Sequence, residues 1–176
     1  WRQQFAQGNL PFYYVQVAPY CYDKENPALA DYAFFREAQE NISTLNNTAM
    51  VLTMDVGESK NIHPKNKKPV GVRLAKTALN RTYGHLDIEY RGPHYDYVEI
   101  DRSKAIIHFD PVTVIAGLQT NDGKSPAHFT MAGKDQVFYA ADALISGGNI
   151  IVSSPKVKNP VAVRYAFTNY PVTNFE

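Results

Sequence analysis

The sequence predicts a mixed α/β chain, in which a helix-covered parallel sheet is followed by an antiparallel β-sandwich-like domain. Three observations predict it. Residues 1–83 alternate apolar runs with helix-periodic runs, a strand–helix–strand–helix order that calls for parallel strands. Residues 84–176 carry no convincing helical stretch, only short runs rich in aromatic and β-branched residues. Turn signals separate those runs: Arg91-Gly-Pro93, Asn121-Asp-Gly-Lys124, Gly147-Gly148 and Lys158-Asn-Pro160.

Pro11–Ala18 reads as a buried strand, because Phe12, Tyr13, Tyr14, Val15 and Val17 are strand formers. Asn26-Pro27 opens a helix, with proline at the first turn and Ala28, Leu29, Tyr32, Ala33, Phe35, Arg36 and Ala38 following. Met50–Val56 is the second strand. Pro69–Tyr83 is the second helix, its apolar stripe formed by Val70, Leu74, Ala75, Ala78 and Leu79, and Gly84 is its stop. The domain boundary is therefore set at residues 83 and 84. Beyond it the expected strands are Tyr95–Ile100, Ala105–Phe109, Val137–Tyr139, Asn149–Ser153 and Ala162–Phe167.

Composition narrows the function. The 176 residues are 44% hydrophobic and 12% aromatic, enough for a sizeable core and against wholesale disorder. A formal net charge of +1 argues against a nucleic-acid partner. No apolar run approaches the roughly 20 residues that span a bilayer, so no membrane partner is expected. The single cysteine, Cys21, excludes an intrachain disulfide. The five histidines are dispersed without an HxH or HExxH pair, so a metal is not expected. Lys65, Lys67 and Lys68 form a local basic run, more often a solvated turn than a phosphate site. The first residues lack signal-peptide character and a methionine, which fits a chain beginning inside a longer gene product.

The chemistry gathers at His63. It follows the second strand across a short polar loop, Glu58-Ser-Lys-Asn-Ile62, and precedes the second helix. Open α/β sheets collect their active groups at that carboxyl edge. A histidine there can serve as general base, its reference pKa being about 6.5; the plain alternative is a loop or capping histidine. Pro64 biases His63 toward extended backbone. Asp55, at the strand end, can accept the imidazole N–H as the third member of a triad does, or can cap the loop backbone. Glu58 is a weaker candidate for that role. Ser59 looks like a nucleophile turn, but no helix opens on it and His63 lies four residues away in the same loop. Tyr90, Tyr95, Tyr97, Tyr139, Tyr165 and Phe167 give a rival reading, a carbohydrate-binding or structural β module with rings as sugar platforms.

Several blocks resemble the sialate O-acetylesterase family of SGNH hydrolases. They are Trp1-Arg-Gln, Leu10-Pro-Phe-Tyr-Tyr-Val-Gln-Val-Ala-Pro-Tyr20, Arg36-Glu-Ala-Gln39, Met54-Asp-Val-Gly57 and Ile62-His-Pro-Lys-Asn-Lys67. In the second half Phe138-Tyr-Ala-Ala-Asp-Ala-Leu-Ile145, Val152-Ser-Ser-Pro155 and Pro160-Val-Ala-Val-Arg-Tyr-Ala-Phe167 match in the same order. The resemblance implies the carboxyl-terminal part of an SGNH-type, flavodoxin-like parallel sheet with helices over residues 1–83 and an antiparallel β-sandwich-like domain over 84–176. It implies a cofactor-independent esterase removing acetyl groups from sialic acids or related sugars, with His63 catalytic and Asp55 in the strand-end motif. It implies a periplasmic or secreted protein. Two departures stand out. SGNH enzymes commonly place an aspartate three residues before the histidine, where this chain has Lys60. The family's serine nucleophile and oxyanion-hole residues belong to blocks expected before Trp1. The expected partners are thus an acetylated sugar and the amino-terminal part of the same enzyme carrying the serine, and this chain alone is expected to be inactive.

Overall fold

The computed structural model describes residues 1–22, 26 and 29–175, which form two compact units. The first takes in Trp1–Arg91 with Thr168–Tyr170, and the second Gly92–Phe167 with Pro171–Glu176.

In the first unit a short helix α1 (Arg2–Phe5) leads to strand β1 (Phe12–Val15), helix α2 (Asp31–Glu40), a 3-10 turn (Asn41–Thr44), strand β2 (Thr48–Val51) and helix α3 (Lys68–Arg81). β1 and β2 pair in parallel, Phe12 opposite Thr48 through Val15 opposite Val51. Among the described residues no further strand flanks either of them. Arg2 ties the amino-terminal segment down, donating to the carbonyls of Leu10, Asn46 and Asn47 at 2.9, 2.6 and 3.2 Å.

β2 starts and ends earlier than the expected Met50–Val56. The chain leaves the strand because Thr53 closes a turn, accepting from Val56 N at 3.1 Å, while its hydroxyl donates to Gln16 O at 3.0 Å. The helix-opening role given to Pro27, and Ala28 after it, lie outside the described residues. α2 buries Ala33 and Arg36, whereas Phe34, Phe35 and Ala38 are exposed. The buried stripe thus passes through Arg36 rather than Phe35. Its guanidinium donates to Thr168 O at 2.7 Å, and burial lowers its pKa to about 10. In α3 the buried position is Thr77, with its hydroxyl on Arg73 O at 2.8 Å; Ala75 faces solvent. The unit continues past Tyr83 because Asn80 Nδ2 donates to Ile88 O at 2.9 Å and His85 O at 3.4 Å.

Among its described residues the second unit holds one antiparallel sheet of six strands: β3 (Tyr95–Asp101), β4 (Lys104–Phe109), β5 (Phe129–Ala132), β6 (Phe138–Ser146), β7 (Asn149–Ser153) and β8 (Ala162–Tyr165). Their order in the sheet is β3-β4-β7-β6-β5-β8. The expected two-sheet sandwich is therefore replaced by a single curled sheet, and β6 is the reason. Its first half, Phe138–Ala141, pairs with β5, and its second half, Asp142–Ser146, pairs with β7. One long strand that changes partner midway joins what a sandwich would keep as separate layers. Ala105 and Ile107 of β4 accordingly share one core with Phe129 and Met131 of β5, Ala143 of β6, Ile150 and Val152 of β7, and Val157. The β6–β7 hairpin turns at Gly147-Gly148, with Gly147 at φ +60° and Ser146 opposite Asn149, as the sequence predicts.

Candidate active site

The loops after β1 and β2 run side by side. Gln16 N donates to Val51 O at 2.9 Å, which continues the pairing beyond the strands. Next comes a close approach. An ideal Cβ on Gly57 would sit 2.5 Å from the carbonyl oxygen of Pro19, itself fully buried. Only glycine admits that approach. Cys21 N then donates to Ser59 O at 3.2 Å. The two segments are thus joined from the strands into the loop that carries His63.

Within that loop the polar side chains hold the backbone. Asn61 N donates to Glu58 O at 3.2 Å. The Asn61 amide grips His63 at both backbone groups: His63 N donates to Asn61 Oδ1 at 3.0 Å, and Asn61 Nδ2 donates to His63 O at 2.8 Å. Lys65 N donates to Glu58 Oε1 at 2.6 Å. Pro64 is buried, while Ile62 and His63 are exposed. The imidazole therefore faces solvent on a backbone held from both flanks. It lies beyond the carboxyl end of β2, where the sequence predicts it.

Asp55 has a different occupation. Its two carboxylate oxygens accept from Arg73 Nη1 and Nη2, each at 2.7 Å, and Arg73 Nη1 also donates to Leu52 O at 2.9 Å. Among the described residues no hydrogen bond joins the His63 ring to Asp55 or to another carboxylate. The fork from Arg73 holds the Asp55 carboxyl below its usual range, against the opposing effect of partial burial. The pair anchors the β2 end to α3. Both side chains are partly exposed, so the pair is worth only about 0.5–1 kcal/mol. A lowered folded-state pKa stabilises above the unfolded pKa of about 3.9 and loses that effect as pH falls through the folded value. Asp55→Asn is therefore expected to cost about 0.5–1 kcal/mol at pH 7. The gap to the wild type should narrow as urea titrations move from pH 5 toward pH 3; a pH-independent gap would exclude the ion pair as its source.

The sequence reading missed Asn169. This buried residue is part of a segment that returns to the first unit from far along the chain. Its carbonyl accepts from Tyr20 N at 3.2 Å, its side chain accepts from Tyr32 N at 2.9 Å, and its own N–H donates to Leu29 O at 2.8 Å. It thereby knits the loop after β1 to the start of α2. Nothing local in Thr168-Asn-Tyr170 signals that role.

The remaining candidates fall elsewhere. Lys65, Lys67 and Lys68 are exposed, as a solvated turn requires. Among the described residues no group of three histidine, cysteine or carboxylate side chains is placed to hold a metal ion. No described helix is long and apolar enough to cross a membrane. Most of the aromatic candidates are engaged. Tyr97 stacks on His108 at 4.3 Å between centroids, and Tyr165 packs against Phe129 at 4.7 Å and Phe175 at 6.0 Å. Arg164 lies 4.1 Å over Phe167, Lys156 lies 5.4 Å over Tyr139, and Arg91 lies 5.7 Å over Tyr90. Tyr95 remains exposed on the outer strand β3.

No protein-family model matches this sequence, and no curated protein does. A solved structure does. The chain is similar to a carbohydrate acetylesterase from Xanthomonas citri. The TM-score is 0.91 at 35% sequence identity, over 99% of this chain. The chain spans only 40% of the length of that enzyme. At 35% identity the likeness extends beyond fold alone.

Proposed function

We propose that this chain forms the histidine-bearing part of a carbohydrate O-acetylesterase acting on sialic acid or related sugars. The observation that carries the reading is the match over nearly the whole chain to a carbohydrate acetylesterase. Three further features support it. His63 lies beyond the carboxyl end of a parallel strand, on a loop whose backbone is held at both flanks. The β1–β2 pair has no flanking strand among the described residues. Parallel strands are ordinarily buried within larger sheets. The same unit also exposes Phe12, Phe34, Phe35 and Leu52, apolar surface suited to being covered by more protein.

In this reading a serine from the amino-terminal part of the same enzyme attacks the acetyl carbonyl while His63 takes the hydroxyl proton. Donors from that part stabilise the tetrahedral oxyanion. The oxyanion collapses, the C–O bond to the sugar breaks, and the His63 imidazolium protonates the departing sugar oxygen. His63 then removes a proton from water, which attacks the acyl-serine; acetate leaves and the serine regains its proton. Asp55 enters as the anchor of Arg73 at the strand end. The chain alone lacks turnover, and the enzyme works in the periplasm or outside the cell, where acetylated glycans are met.

A serine-directed fluorophosphonate tests the assignment. The full-length protein, labelled and digested, should carry the adduct on a serine outside residues 1–176. An adduct on Ser59 would move the nucleophile into this loop and overturn the proposed division of labour.

A further inference from the structure

We infer that Asn61 is a positioning residue for the His63 base, an inference that rests on the esterase reading above. A general base must hold its nitrogen within hydrogen-bond reach of the proton it removes, and a displacement of about 1 Å can cost about a hundredfold in rate. Catalytic side chains are usually held by packing, but His63 and its neighbour Ile62 are exposed. The restraint falls to the backbone. One side chain, that of Asn61, engages both the N–H of His63 at 3.0 Å and its carbonyl at 2.8 Å. Those bonds limit the two backbone dihedrals from which the imidazole projects. Pro64 restricts His63 from the following side and is itself buried. Glu58 closes the loop, its carboxylate accepting from Lys65 N at 2.6 Å and its carbonyl from Asn61 N at 3.2 Å. Asn61 is thus the member of this frame that touches the base's own backbone. It has no part in proton transfer and acts only through where His63 stands.

A residue that acts only through His63 has no effect once His63 is gone, and this sets the experiment. Hydrolysis of p-nitrophenyl acetate is measured for the full-length wild type, Asn61→Ala, His63→Ala and the double variant. Asn61→Ala should lower kcat by about 10–100-fold with KM little changed. Asn61→Ser keeps a hydroxyl that can accept from His63 N and should recover several-fold of the loss. In the His63→Ala background, Asn61→Ala should change kcat by less than about twofold. Melting temperatures report folding, and the serine variant serves if the alanine variant does not fold. An equal loss from Asn61→Ala in both backgrounds would assign Asn61 a general structural role and overturn the inference. Full kcat in Asn61→Ala, with His63→Ala inactive, would overturn it while leaving the esterase reading intact. Full kcat in His63→Ala would overturn both.

Discussion

His63→Ala in the full-length protein is expected to lower kcat for acetyl-ester hydrolysis by about 10²–10⁴-fold, with KM little changed. The size follows from the role. Without a base, the serine hydroxyl must lose its proton to water and the sugar oxygen must leave unprotonated. The same imidazole would serve acylation and deacylation, so removing it burdens both steps. The structure makes the variant easy to interpret, because His63 is exposed and its ring has no hydrogen-bonding partner among the described residues. An exposed substitution of this kind shifts stability by about 0.5 kcal/mol or less. The loss would therefore report chemistry and not unfolding. The control is the melting temperature, which should stay within a few degrees. Retention of full kcat would remove His63 from the mechanism and leave the chain as a structural or sugar-binding part of its protein.

The fold was legible where local pattern and tertiary pairing agree. β1, β4 and β7 lie where aromatic and β-branched residues predict strands, and α3 lies where a proline and an apolar stripe predict a helix. The departures share one cause, which is that distant partners outweigh local preference. β5 (Phe129–Ala132) has four residues and no β-branched run beyond Thr130, yet β6 and β8 pair with it on both sides. β6 was expected only as Val137–Tyr139, because Ala140, Ala141 and Ala143 are weak strand formers. It extends to Ser146 because β5 and then β7 supply its hydrogen bonds. In α2 one of the two buried positions goes to Arg36, whose partner Thr168 is 132 residues away.

The site was legible in part. The apolar run, the histidine-proline pair and the helix behind it put His63 on the loop between β2 and α3, which is where the chain has it. The company of Asp55 was not legible. A carboxylate at a strand end suits an imidazole or an arginine equally well, and Arg73, eighteen residues on, is placed by the pitch of α3. Asn61 passed unnoticed for a related reason. As a sequence letter it is only a loop former, and its value lies in two bonds that appear once the turn at Glu58 is closed.

Gly57→Ala is expected to be the most damaging small substitution in the first unit. Gly57 owes its identity to space: its Cβ would lie 2.5 Å from Pro19 O and 2.8 Å from both Cβ and Cδ of Pro19. None of these is the far end of a flexible side chain. Pro19 is ring-locked and fully buried, so the two loops must part by about an ångström for a methyl group to fit. Overpacking of this kind costs about 1–3 kcal/mol. The same displacement would pull Ser59 O from Cys21 N, now at 3.2 Å, and shift the loop that carries His63. Activity should therefore fall together with stability, by tenfold or more in kcat at a temperature where the variant is still folded. Gly71→Ala is the matched control. Gly71 lies in α3 with nothing within 4 Å of its virtual Cβ, so alanine there should stabilise by about 0.5–1 kcal/mol. Denaturant titrations of both variants beside their kcat values decide the matter. A Gly57→Ala protein as stable and active as the wild type would mean that the loops after β1 and β2 are not held together as the structure has them.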